Sequence, residues 1–214
     1  MRYSKAYIEE IKQRIPGAAF ALFSQYGIEA VSMQQVADAS NVGVATLYRY
    51  YGTKLHLVID VCARQWQEFS QGAVKIYNEM GGENFTAYEE LQFYLNAYIY
   101  LYQNRKDLLK FNSNFDLYIQ QEKATQEDLK PYYEAIQFSR DFFHRQFIKA
   151  YEDHTIRTDI KEQDVYLGIM YAMSSAAAKY SYGAIFPEDQ LPDYTFALDM
   201  QKRAYLRYMR KSAE

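Results

Sequence analysis

A chain of 214 residues with one cysteine, Cys62, has no internal disulfide to form and no cysteine-rich zinc site to build. Its three histidines, His56, His144 and His154, are scattered without ligand spacing such as His-Glu-x-x-His, so the expectation is no metal and no cofactor. Nine glycines and four prolines leave little room for many tight turns, and no segment alternates polar and apolar residues convincingly. Helices are favoured over sheets. Long apolar runs are missing as well: the most apolar stretch, residues 169–186, holds Lys179 and several serines and does not read as a membrane span. The opening residues Met1-Arg2-Tyr3-Ser4-Lys5, followed by Glu9, Glu10 and Lys12, do not read as a signal peptide, so a cytoplasmic protein with no membrane partner is expected. A nucleophile elbow and a phosphate loop are also missing, which removes support for an enzyme.

What is abundant is tyrosine, with 23 residues beside 13 phenylalanines and one tryptophan. A net charge of -3 and an isoelectric point near 5.7 argue against nucleic-acid binding by the surface as a whole, though not by a local patch. Through Asp60, basic Arg2, Lys5, Lys12, Arg14, Arg49 and Lys54 nearly cancel the acids. The N-terminal part is therefore less acidic than the rest without being strongly basic.

Helical spacing accounts for the chain from end to end, and the fold class read from it is all-α. Ile8, Ile11, Ile15, Leu22 and Phe23 define a first helix from Ser4 to Gln25, stopped at Tyr26-Gly27, with a kink or restart expected at Pro16. Ser32-Met33-Gln34-Gln35 and Thr86-Ala87-Tyr88-Glu89 are capping boxes that start later helices. In the last third, helices over about 161–185 and 193–210 are separated by Pro187 and Pro192. The first of these is apolar nearly all round, which requires several packing partners.

Residues 33–54 carry most of the functional information. They describe two short helices, with Asn41-Val42-Gly43 as the turn and Leu47 pointing to the core beside Val36 and Val42. The layout is a helix-turn-helix, which places a short helix in the DNA major groove.

Three stretches together resemble the TetR family of bacterial one-component regulators: Ala18 to Phe23 with Tyr26-Gly27, Ser32 to Ala39, and Thr46 to Lys54 with Leu57. The run from Leu47 to Lys54 is similar to the family's Leu-Tyr-x-x-Phe-x-x-Lys signature, with Tyr51 in the Phe place. The resemblance implies a DNA-binding domain over 1–52 and a helical regulatory domain over 53–214, binding small molecules and dimerising. It implies that Ser32 and Gln34 sit near phosphate at the second helix and that Gly43, Val44 and Ala45 begin the recognition helix. Tyr48 and Tyr50 would reach phosphate or sugar, Arg49 a base edge, and Lys54 would clamp phosphate. Where the family often has Ser-Lys, this chain has Gly43-Val44, so a side-chain cap and a positive charge are missing.

The implied partners are a palindromic double-stranded DNA operator, a second copy of the chain, and a small-molecule effector, aromatic or cationic. The family places a cavity among the middle helices, where Tyr94, Tyr98, Phe111, Phe115, Tyr118, Phe138, Phe142 and Tyr171 are candidates; a tightly filled aromatic core explains the same residues. Dimerisation is expected through Val165, Ile169, Ala172 and Ala176 and, on the last helix, Leu198, Gln201, Tyr205 and Tyr208. Arg140, Asp141, His144 and Arg145 fit either an anion site or local ion pairs on a solvated face. The function implied is a repressor released from its operator by the effector. The alternative is a coregulator of the same fold that binds a protein instead of DNA.

Overall fold

A computed structural model describes residues 5–183 and 193–211. Its helices are α1 (Lys5–Tyr26), α2 (Met33–Ala39), α3 (Val44–Tyr51), α4 (Lys54–Glu79), α5 (Ala87–Asn104), α6 (Lys106–Gln121), α7 (Lys130–Asp153), α8 (Glu162–Ser181) and α9 (Thr195–Met209), with a 3₁₀ turn at Gly82–Asn84. Among the described residues there is no strand, only an isolated bridge between Ile156 and Arg210. The all-α expectation holds. The expected start at Ser4, the end near Ile185, and the spacers Pro187 and Pro192 lie outside the described residues.

The helices form where local chemistry satisfies their ends. Ser32 accepts from the Gln35 amide while the Gln35 side chain accepts from the Ser32 amide, and Thr86 and Glu89 do the same at α5. Of the kink or restart expected at Pro16, the restart does not occur: α1 continues through Pro16 as one helix. One backbone donor is lost there, but Ile11, Ile15, Ala19 and Phe23 are buried around it, and that packing holds the helix together.

The chain packs as two compact units. One comprises residues up to 68 together with 110–136; the other comprises 69–109 and 137 onward. The three N-terminal helices therefore share a core with the first half of α4 and most of α6. Phe111 of α6 packs edge-on against Phe20 at 5.4 Å and stacks on Phe23 at 6.3 Å, and Leu57, Val58 and Cys62 of α4 are fully buried in the same unit. In the second unit α5 packs on α8 and α9, which also pack on each other. Tyr94 of α5 meets Phe143 of α7 edge-on at 5.4 Å.

Candidate functional site

The site grows from the α2–turn–α3 segment. Met33, Val36 and Ala37 bury one face of α2, leaving Ser32 and Gln34 exposed. Gln34 Nε2 donates to Asp38 Oδ1 at 2.7 Å, along that outer face. The turn is held by the Ser40 hydroxyl donating to Val36 O at 2.6 Å, and by Asn41 in the left-handed region at φ 51°. Arg14 reaches across from α1, donating to Glu10 at 2.9 Å and to Asn41 O at 3.4 Å.

Gly43 begins α3 with extended backbone and no side-chain cap, as its sequence required. Leu47 is the buried residue of this helix, with Val36 fully buried and Val42 half-buried. With Leu47 inward, Ala45, Tyr48 and Arg49 are exposed and Val44 and Tyr50 half-buried. Arg49 lies over the Tyr50 ring, 5.5 Å from its centroid. One face of a two-turn helix thus offers a phenol, a guanidinium and two small apolar groups, a set suited to phosphate and base edges.

The far end of α3 is anchored. Gly52 adopts φ 69° and its amide donates to Tyr48 O at 2.8 Å. The Tyr51 hydroxyl donates to Asp60 Oδ2 at 3.2 Å, and Arg64 Nε donates to the same oxygen at 2.8 Å. Burial, then the neighbouring Asp60 carboxylate, push the Tyr51 phenol well above its ordinary pKa.

Lys54 turns onto its own protein. Its Nζ donates to Glu29 O at 3.3 Å and lies 5.5 Å from the Tyr118 ring centroid, and burial lowers its pKa against the pull of Glu122 and Glu29. A surface depression of about 460 Å³ lies there, lined by Lys54, His56, Tyr118 and Glu122 among others. The Lys54 ammonium is thus engaged by protein groups rather than held out in solvent.

The remaining site expectations separate. Phe111, Phe115 and Tyr118 belong to the first unit, while Tyr94, Tyr98, Phe138 and Phe142 belong to the second. Tyr171 is 63% exposed. No single unit gathers all eight. In the second unit the Tyr94 hydroxyl is within 3.1 Å of the Tyr98 hydroxyl and 3.2 Å of Ser139 Oγ, and burial pushes the Tyr94 phenol up to about 12. Of the expected dimer residues, Ile169 and Leu198 are buried within the single chain, so neither is free to face a partner. Val165, Ala176, Gln201 and Tyr205 are half-buried, whereas Ala172 and Tyr208 are exposed. The large apolar residues that α8 and α9 leave outside are the expected Tyr208 together with Leu167, Tyr171, Phe196 and Met200.

Periodicity did not reveal the Glu90 cluster, where this buried carboxylate accepts from Tyr77 at 2.7 Å and from Lys149 at 3.2 Å. Only its place in the first turn of α5 was visible. His144 pairs with Glu162 at 2.9 Å, Gln137 donates to Asp141 at 2.7 Å, and Arg145 covers Phe142 at 5.3 Å; these local contacts match the ion-pair alternative. Cys62 is buried, which pushes its thiol well up, as for a small core residue. Among the described residues no group of three or more His, Cys, Asp or Glu could hold a metal ion. No described helix is long and apolar enough to cross a membrane.

Residues 15–61, which hold α2, α3 and the Leu47-to-Lys54 run, match the family model described as bacterial regulatory proteins, tetR family. Over these residues the chain is similar to the tetR family. The chain is 44% identical over 59 residues to the HTH-type transcriptional repressor KstR of Rhodococcus jostii, covering 28% of each protein. The chain thus spans little more than a quarter of that relative's length. Solved structures extend the likeness to the whole fold. The Bacillus subtilis regulator FadR in complex with stearoyl-CoA superposes with a TM-score of 0.70 at 13% identity, covering 93% of this chain and 100% of that one. A regulator from Saccharomonospora viridis in complex with choline does so with a TM-score of 0.73 at 13% identity, covering 95% and 100%. At that identity the likeness to both is one of fold.

Proposed function

We propose that the chain is a DNA-binding transcriptional regulator, a repressor that leaves a palindromic operator when a small molecule binds its regulatory part. Residues 1–52 act as the reading module and 53–214 as the regulatory and dimerising part. The observation that carries this reading is the outer face of α3. Buried Leu47 fixes the helix so that Ala45, Tyr48 and Arg49 stand exposed on a tetR-family helix-turn-helix. The matching stretch of KstR belongs to a repressor, which supports the sign of regulation. The protein is a cytoplasmic regulator rather than an enzyme.

A homodimer supplies two reading heads about 34–36 Å apart, or a multiple of that, as successive major grooves require. Leu167, Tyr171, Phe196 and Met200, exposed on α8 and α9, support that partner surface better than Ile169 and Leu198 do. For the effector, structural neighbours hold an acyl-CoA in one case and the cation choline in another. The Tyr94, Tyr98 and Ser139 hydroxyls among aromatic rings support an aromatic or cationic molecule.

Selection of duplexes from a random pool, followed by titration at two salt concentrations, tests the reading. A palindromic consensus bound by a dimer, weakened by Tyr48→Ala and losing sequence preference with Arg49→Ala, is the expected result. A pool that yields no consensus leaves the protein-binding coregulator, for which the uncharged Gly43-Val44 start of α3 is the motive.

A further inference from the structure

His56 sits in the first turn of α4, and its imidazole lies between two groups that accept hydrogen bonds and have none to give. Nδ1 is 3.1 Å from the carbonyl oxygen of Tyr51, the last residue of α3. Nε2 is 3.1 Å from Asp128 Oδ1, in the connection between α6 and α7. Asp128 is an anion over the whole neutral range. The Thr125 hydroxyl and amide donate to its other oxygen at 2.6 and 2.9 Å, and these bonds with that from His56 hold its carboxyl down at about 2. A neutral imidazole has one N–H and can satisfy only one of its two neighbours. The imidazolium satisfies both.

We propose that His56, carrying both ring protons, is a positioning residue that ties the end of the recognition helix to the α6–α7 connection, so that losing one proton loosens the reading head. The inference rests on the DNA-binding reading above. It extends that reading by naming a link between α3 and the part of the chain beyond α4. Everything in it lies within one compact unit. The charged and titratable groups around the ring are Asp128 and Glu122 from the connection, Lys54 from α4, Tyr118 from α6, and Glu29 from the loop before α2. Three of these are carboxylates and one is an ammonium. At the acid end, the link is lost as pH falls from the ordinary carboxylate range toward the depressed value of Asp128. At the other end it is lost when the ring keeps a single proton, because one of its two acceptors then has no donor.

Two substitutions separate this role from simple packing. His56→Gln supplies one amide donor group at a side chain that is 49% exposed, so the fold should survive. Asp128→Asn keeps an oxygen for Thr125 and turns an N–H₂ toward Nε2, which matches the neutral ring: Nε2 then accepts while Nδ1 still donates to Tyr51. The probe is the fluorescent duplex that the wild-type protein selects from a random pool, titrated between pH 5.5 and 8.5. The wild type should weaken by about three- to tenfold across that range, as expected for one lost hydrogen bond. Asp128→Asn should stay near the tight limit at every pH, and His56→Gln should stay at the weak limit, both without a pH step at His56. In parallel, ¹⁵N spectra of the imidazole without DNA should show both ring nitrogens protonated at pH 5.5. A ring singly protonated throughout overturns the link whatever DNA binding does. His56→Gln retaining the wild-type affinity and pH profile overturns its role in positioning. If no duplex is selected at all, the DNA-binding reading fails with its coupling, while the ring spectra still decide the link by themselves.

Discussion

At its first turn α3 rests on Gly43, which offers no side chain to cap the helix, and no charged residue follows until Arg49. Its last turn is held from several sides. Gly52 closes it, Tyr51 reaches Asp60 on α4, and His56 takes the Tyr51 carbonyl. A helix that inserts into a groove is placed by whatever fixes its less variable end, and here that end is the C-terminal one. The difference also shows where two chain-specific residues act. Tyr51 stands where the resembling signature has Phe, and its extra hydroxyl makes the contact to Asp60. Gly43-Val44 stands where Ser-Lys is common, and there a contact is missing.

The comparison can be broken outright at the residue both ends share. Leu47 has no exposed surface and is the buried side chain under α3. Leu47→Ala should cost about 2–5 kcal/mol, read by urea unfolding, and should abolish DNA binding because neither end then has a floor. A loss below 1 kcal/mol would mean that α3 is held by its C-terminal ties alone. Next in size is Gly52→Ala. The φ of 69° is strained for any residue with a Cβ, although the nearest atom a Cβ would meet, His56 Nδ1, is at 4.0 Å. The expected cost is about 1–2 kcal/mol, from backbone strain rather than collision. With ψ at -51° and the Thr53 amide donating to Tyr51 O at 2.7 Å, this is the strained γ-turn region, and a cost well below about 1 kcal/mol would argue against the strain.

Tyr51→Phe tests the anchored end more finely. It removes one partly buried hydrogen bond and leaves Asp60 paired to Arg64 at 2.8 Å. Stability should fall by about 0.5–1.5 kcal/mol. Because Tyr51 faces α4, the loss in DNA affinity should be similar for consensus and non-consensus duplexes. A change in preferred sequence would place Tyr51 at the interface instead.

These cases also mark how far the amino-acid order carried. The capping boxes at Ser32 and Thr86, the turn at Asn41 and the inward Leu47 are local features, settled within three or four residues, and all could be read directly. The faces of α8 could not. A helix apolar nearly all round gives no single stripe, so Ile169 and Leu167 look equally suited to a partner until one of them is found buried. His56 and Asp128 are 72 positions apart, and nothing in either neighbourhood announces the pair. Lys54 shows the same limit in another form. The signature marks it for phosphate, but Tyr118 and Glu29, which decide where its ammonium rests, come from other parts of the fold.

The smallest expected effect has the opposite sign and bears on the bare end. Gly43 has φ -70° and ψ 139°, a conformation open to any residue, and a Cβ there would meet only Thr46 Oγ1, at 4.0 Å. Gly43→Ser can therefore supply the missing cap without strain, accepting from an amide of the first turn as Ser32 does in α2. The gain should be a few tenths of a kcal/mol, seen as a small rise in the urea midpoint. Its value lies in what happens to DNA affinity. If the start of α3 is bare because specificity rests on Arg49 and the anchored end, the cap should change stability and leave the selected consensus as it was. If affinity rises by more than the stability gain, the serine hydroxyl is reaching phosphate.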